Sequence, residues 1–240
     1  MRISAISITP QRIDDNPGVA FIKYNDDTLA LILPTALVTG DPALQNPATA
    51  LERLNELAET DLTLTQVLTT IGSRQSDILN GVPAPGQDDP YQFLEAEEVI
   101  TLQQGLTALA ANQNRSFFTD EATARDLIAR NLPELAGFTV IAPVAFDEAA
   151  FPGQVSQGLG IVVKSDCCQL FADIKQAIVD MEAEGVLPAL RAEFQTGNFT
   201  PLNSDALTPE ACRNTQPNIN SNRTANFIFT KFCQEDLLID

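Results

Sequence analysis

Between Tyr91 and Pro143 the sequence alternates between two periodicities, and this alternation constrains the fold more than any single motif does. "YQFLEA" (91–96) reads as a strand. Val99 to Ala111 then carries Leu102, Leu106 and Leu109 at helical spacing. "RSFFTD" (115–120) reads as a second strand, "EATARDLIARN" (121–131) as a helix and "FTVIAP" (138–143) as a third strand. Short strands separated by helices of this length predict a parallel or mixed sheet covered by helices.

The flanking sequence extends the pattern. "TLALIL" (28–33) is a continuous apolar run closed by Pro34, the signature of a buried strand. A Pro-rich passage, "TGDPALQNPATA" (39–50), leads into "ALERLNELAE", where Leu51, Leu54, Leu57 and Ala58 share a helical face. "LTLTQVLTTIGSRQSDIL" (62–79) is β-rich up to Gly72 and helical after it; such a strand–Gly–Ser–helix turn leaves backbone N–H groups pointing outward. "GVPAPGQDDP" (81–90) is a loop. "QGLGIVVK" (157–164) predicts another buried strand, and "SDCCQLFADIKQAIVDMEAEG" (165–185) an amphipathic helix capped by Ser165 or Asp166 and ended by Gly185. A second helical piece, "VLPALRAEF", follows it.

Charge and composition exclude several functions. With 32 acidic against 14 basic residues the net charge is -18, which repels nucleic acid and anionic membrane surfaces. The acidic residues are spread along the chain. No histidine is present, which removes Ser-His-Asp and Cys-His catalysis and most zinc sites. No metal and no cofactor is expected. The sequence contains no apolar run long enough for a membrane span, and Ile3 to Ile8 is too short an apolar core for a secretion signal.

From Thr196 onward the composition turns to Asn, Thr and Pro and ends in Phe227, Phe229 and Phe232. Polar composition alone predicts a disordered tail; the cysteines argue otherwise. Four are present, Cys167, Cys168, Cys212 and Cys233, an even count that fits an oxidising compartment, with four free thiols or metal ligation as alternatives. Cys212 and Cys233, bridged to each other or to the Cys167–Cys168 pair, would pin the tail to the preceding helices. A bridge between the adjacent Cys167 and Cys168 is strained and ranks last. Asn198-Phe-Thr200 and Asn222-Arg-Thr224 fit glycosylation sequons, a common chance pattern.

Three stretches carry a resemblance. "ISAISITPQR" (3–12) resembles the signature "I-x-G-x-[ST]-I-T-x-E-R" of the type 2 periplasmic solute-binding proteins, in the branch that binds polar amino acids for ABC importers (family 3). "NRSFFTDEATARDLI" resembles that family's "G-x-x-D-A-x-x-x-D" segment. "GLGIVVKSDCCQLFADIKQAIVDMEAEGVLPAL" resembles its returning strand and long closing helix. The resemblance covers residues 3 to 195. It implies a two-lobed α/β periplasmic-binding-protein type 2 fold, with mixed sheets covered by helices. Residues 1–34 with 156–195 would form an incomplete lobe 1, residues 35–155 lobe 2, and residues 196–240 a polar C-terminal extension. Hinge strands would run over 28–34 and 157–163. In the family roughly 60 residues precede the signature strand, about two strand–helix units, together with a secretion signal. By that measure residues 1–34 lack sheet partners, which predicts poor protection from hydrogen exchange there.

The resemblance also implies a site. A desolvated α-carboxylate needs an Arg fork and neutral donors, and Arg12 and Ser7 match the carboxylate-contacting positions; Ala5 replaces the family's glycine. Asp120, where a strand turns into a helix, matches the ammonium-binding aspartate, although "TDEAT" is equally a capping sequence. "GSRQ" (72–75) matches a helix start that closes on the ligand, with Ser73 as donor. Arg74 departs from the usual small hydroxyl residue: facing the ligand it would favour a negative side chain, and the general preference of arginine is solvent.

The function so implied is the solute-binding component of an ABC importer, periplasmic or extracellular. It would bind a small polar solute, most simply an amino acid, and deliver it to an ABC transporter permease, without membrane insertion of this chain. Two other classes fit the residues. One is a degenerate scaffold with a structural or sensor role, to which Ala5 and the incomplete lobe point. The other is a dehydratase-type enzyme using Asp120, Glu121 or Glu97; no carboxylate pair is singled out by spacing, so a non-enzyme is expected.

Overall fold

A computed structural model describes residues 6–112, 114–130, 135–193, 210–212 and 214–217. Ala5, Cys233, both sequons and the three terminal phenylalanines lie outside the described residues. The chain divides into two units. Unit 1 comprises Met1–Asp26, Ser156–Leu190 and Asn198–Asp240; unit 2 comprises Asp27–Val155 and Arg191–Gly197.

Unit 1 holds a three-stranded sheet of β1 (Ile6–Ser7), β2 (Val19–Asn25) and β8 (Leu159–Lys164), with β8 between the other two and antiparallel to both. Thr9 caps the short α1 (Pro10–Asp15), its hydroxyl accepting from the Arg12 N–H. Gly158 enters β8 at a φ of +132°, and a Cβ there would lie 2.6 Å from the Asn25 carbonyl oxygen, so only glycine fits. α7 (Cys168–Ala183) packs Phe171 and Ile178 against Ala20, Ile22 and Val163. Its N-cap is Cys167 and carries no side-chain cap bond, so neither Ser165 nor Asp166 performs the capping expected of them. Gly185, at a φ of +77°, does end the helix before α8 (Val186–Glu193). Cys168 and Cys212 are joined (S–S 2.11 Å), which places residues 210–212 beside the start of α7, and Cys167 is disulfide-bonded as well.

Unit 2 is built on a five-stranded sheet in the order β5-β4-β6-β3-β7. β3 (Leu29–Pro34) runs antiparallel to its neighbours β6 (Ser116–Asp120) and β7 (Phe138–Val144), whereas β4 (Gln66–Thr70) is parallel to both β6 and β5 (Glu95–Val99). Both faces are covered. One buries Leu31, Leu33, Val67 and Phe118 under Leu51 and Leu54 of α3 (Ala50–Ala58) and Ile78 of α4 (Arg74–Asn80). The other buries Ile32, Leu68 and Phe117 under α5 (Leu102–Ala111) and α6 (Glu121–Ala129). That double cover is why "TLALIL" shows no polar alternation.

Three expectations are corrected here. Residues 28–34 were expected in lobe 1 as a hinge strand; Leu29–Pro34 instead lies inside the sheet of unit 2, whose main segment runs from Asp27 to Val155, and the chain passes between units at Asp26/Asp27, Val155/Ser156, Leu190/Arg191 and Gly197/Asn198. The described part of residues 1–34, from Ile6 onward, does not lack sheet partners: β1 and β2 pair with β8, and β3 with β6 and β7. "YQFLEA" becomes a strand only from Glu95, because Tyr91 turns into the core, stacked on Phe151 at 5.9 Å, with its hydroxyl accepting from the Asp147 N–H.

Burial raises the Tyr91 pKa above its ordinary value of 10.0. The neutral phenol is therefore favoured in the fold, and the stability so conferred is complete below pH 10 and lost as pH rises further. In a Tyr24→Phe variant, which leaves Tyr91 as the sole tyrosine, phenolate absorbance is expected to appear only together with alkaline unfolding. A reversible titration near pH 10 in the folded state would contradict it.

Candidate functional site

The carboxyl ends of the parallel strands β4 and β6 bring the unit 2 candidates together, where ligands bind in open α/β sheets. After β4 the chain turns through Gly72, at a φ of +64°, into Ser73. Ser73 is the N-cap of α4, its hydroxyl accepting from the Ser76 N–H at 3.2 Å. Ser76 in turn donates to the Glu98 carboxylate at the end of β5.

Asp120 closes β6 and occupies the N-cap position of α6, yet its side chain makes no capping bond. Its Oδ1 accepts instead from Gln75 Nε2 at 2.7 Å. Capping therefore does not account for this residue. The turn into α6 is secured by other groups: the Glu121 N–H donates to the Thr28 carbonyl, and the buried Glu121 carboxylate accepts from Thr28 Oγ1 at 2.8 Å and from Arg125 Nε at 2.6 Å.

Arg74 is not solvent-facing, as arginine's general preference suggested; it is 5% exposed. Its Nε donates to the Gln154 carbonyl at 2.6 Å, its Nη1 pairs with Asp27 at 3.2 Å, and its guanidinium lies 5.1 Å from the centre of the Phe146 ring. Burial lowers its pKa, and the neighbouring Asp27 carboxylate, with the charges of Asp120 and Glu148, opposes that shift. One cation thus sits near three carboxylates, those of Asp27, Asp120 and Glu148.

Unit 1 brings Ser7 and Arg12 together. Ser7 is buried at the end of β1, and its carbonyl accepts from Arg12 Nη1 at 3.2 Å. Arg12 stands in a helical turn and is half-buried, not on an exposed loop. Sequence reasoning missed Gln75, Asp27 and Gln154; their partners lie 45, 47 and 80 residues away, and no local pattern marks such contacts. Among the described residues no group of three or more His, Cys, Asp or Glu side chains is placed to hold a metal. No helix among them is long and apolar enough to cross a membrane.

No family model and no curated protein matches this sequence. Solved structures do match in shape. An amino acid ABC transporter substrate-binding protein from Streptococcus pneumoniae, bound to L-arginine, is 17% identical with a TM-score of 0.55, over 79% of this chain and 65% of its own. The chain has the two-lobed periplasmic binding protein fold. A Salmonella typhimurium periplasmic binding protein described for high arginine specificity is 18% identical with a TM-score of 0.55, over 80% of this chain and 70% of its own. An ancestral amino-acid-binding protein, described as a precursor of cyclohexadienyl dehydratase, is 12% identical with a TM-score of 0.53, over 79% of this chain and 65% of its own. At these identities the likeness is one of fold. This chain spans about two thirds of the length of these three proteins.

Proposed function

We propose that the protein is the solute-binding component of an ABC importer and takes a small polar solute, an amino acid. The observation that carries this reading is the Asp120 carboxylate. It sits at the carboxyl end of a parallel strand, oriented by Gln75 instead of by the helix it precedes. A carboxylate so held is suited to an ammonium group. Ser73 and the start of α4 would add neutral donors, and Arg12 with Ser7 would serve the ligand carboxylate. Unit 2 would then correspond to lobe 2 and unit 1 to lobe 1. Neighbours bound to L-arginine and to lysine support the ligand class. Oxidised Cys168 and Cys212 fit a periplasmic or extracellular setting, with a membrane permease as the partner.

Thermal denaturation against a panel of amino acids that includes L-arginine and L-lysine tests the reading. At least one is expected to raise the Tm in a concentration-dependent way. Asp120→Asn and Arg12→Met should each weaken that ligand by about 30-fold or more, the effect of about 2–5 kcal/mol on removing one partner of a charge pair. A panel without any shift would favour a scaffold that binds no amino acid. Conversion of a panel compound into product would make the protein an enzyme.

A further inference from the structure

We propose that Arg74 is a clamp that fastens together, within unit 2, the two ends of that unit's main segment. Asp27 is the first residue of the unit, and Gln154 precedes the last residue of its main segment. The two are far apart in sequence, and both bind the same guanidinium, Asp27 through Nη1 and the Gln154 carbonyl through Nε. The cation is 5% exposed and its carboxylate partner 0%, so water does not compete for either contact. A planar fork with separated donors can hold two such partners in a fixed geometry; a single ammonium cannot.

The surroundings make the clamp stiff. Phe146 covers one face of the guanidinium. Arg74 is also the first residue of α4, whose Ile78 and Leu79 are buried in the core, so its backbone is anchored independently of either segment. Each segment also has contacts of its own, Thr28 with Glu121 and Phe151 within the core, and the guanidinium is the group that joins the two. The next residue of α4, Gln75, holds Asp120. One helical turn therefore sets both ends of the main segment and the Asp120 carboxylate. Arg74 acts here as a positioning residue, independently of whether an amino acid binds at Asp120.

Hydrogen exchange of the full ligand-free chain tests this. Arg74→Met is expected to cost protection in two separate stretches, 26–31 and 151–156, while β4 and β5 keep theirs. Asp27→Asn, which leaves the Gln154 contact in place, should loosen 26–31 alone. Arg74→Lys keeps a charge for Asp27 but gives up the fork, and should loosen 151–156 alone; it also serves if the methionine variant does not fold. Arg53→Met, which breaks the Asp41 and Glu56 pairs in the same unit, is the control and should leave both stretches protected. Loss confined to one stretch in Arg74→Met, or a uniform loss across the unit 2 strands, would overturn the clamp. Because no ligand is present, a protein that binds no amino acid can still pass, and an amino-acid-binding protein can still fail.

Discussion

Replacing Arg74 with methionine lowers the stability of unit 2 by about 3–5 kcal/mol, the cost of breaking a buried ion pair by removing one partner. The size follows from what remains. The Asp27 side chain is 0% exposed, and among the described residues its Oδ1 has no hydrogen-bond partner, so removing the guanidinium leaves a buried carboxylate without its cation. The Gln154 carbonyl loses its donor as well. Denaturant unfolding read through Tyr91, in a Tyr24→Phe background, isolates unit 2. Combining Arg74→Met with Asp27→Leu should recover most of the loss, because well-packed apolar replacements of a buried pair are close to neutral. A methionine variant that loses less than about 1 kcal/mol, the upper range for surface pairs, would mean that water reaches the pair.

Phe118→Ala is expected to cost a similar amount, about 3–5 kcal/mol, through a different mechanism. Phe118 is fully buried on β6, opposite Leu31 of β3, on the face covered by α3 and α4. Removing its ring leaves a cavity between a sheet and two helices that the surrounding backbone holds apart. Its neighbour Phe117 points to the other face and stays packed under α5 and α6, so the damage should be confined to one layer. The same Tyr91 signal reports it, since Tyr91 belongs to the affected layer. An equal loss of protection in α5 and α6 would show that the two layers unfold as one.

Elements were legible in the sequence where local pattern decides them. The helix over residues 50–58, the strands at 116–120 and 159–164 and the glycine that ends α7 all follow from apolar spacing and backbone preference. Sheet membership was not legible. "LALIL" marks itself as a buried strand, but nothing in those residues says that Phe117 and Val140 will flank it. The site divides in the same way. Asp120 stands out because a carboxylate at a strand-to-helix turn is visible in one dimension. Arg74 was misplaced because its burial depends on Asp27 and on a backbone carbonyl near residue 154. Gln75, which separates the two readings of Asp120, carries no sequence signal.

The placement of β3 dictates an order of assembly. Its hydrogen-bonding neighbours arrive only with residues 116–120 and 138–144; β2 waits still longer, for residues 159–164. Closing such distant ends is entropically slow. On the ribosome β2 and β3 therefore emerge well before their sheet partners, and an acidic chain that repels its own copies gains time at the stage when adhesive edges are bare.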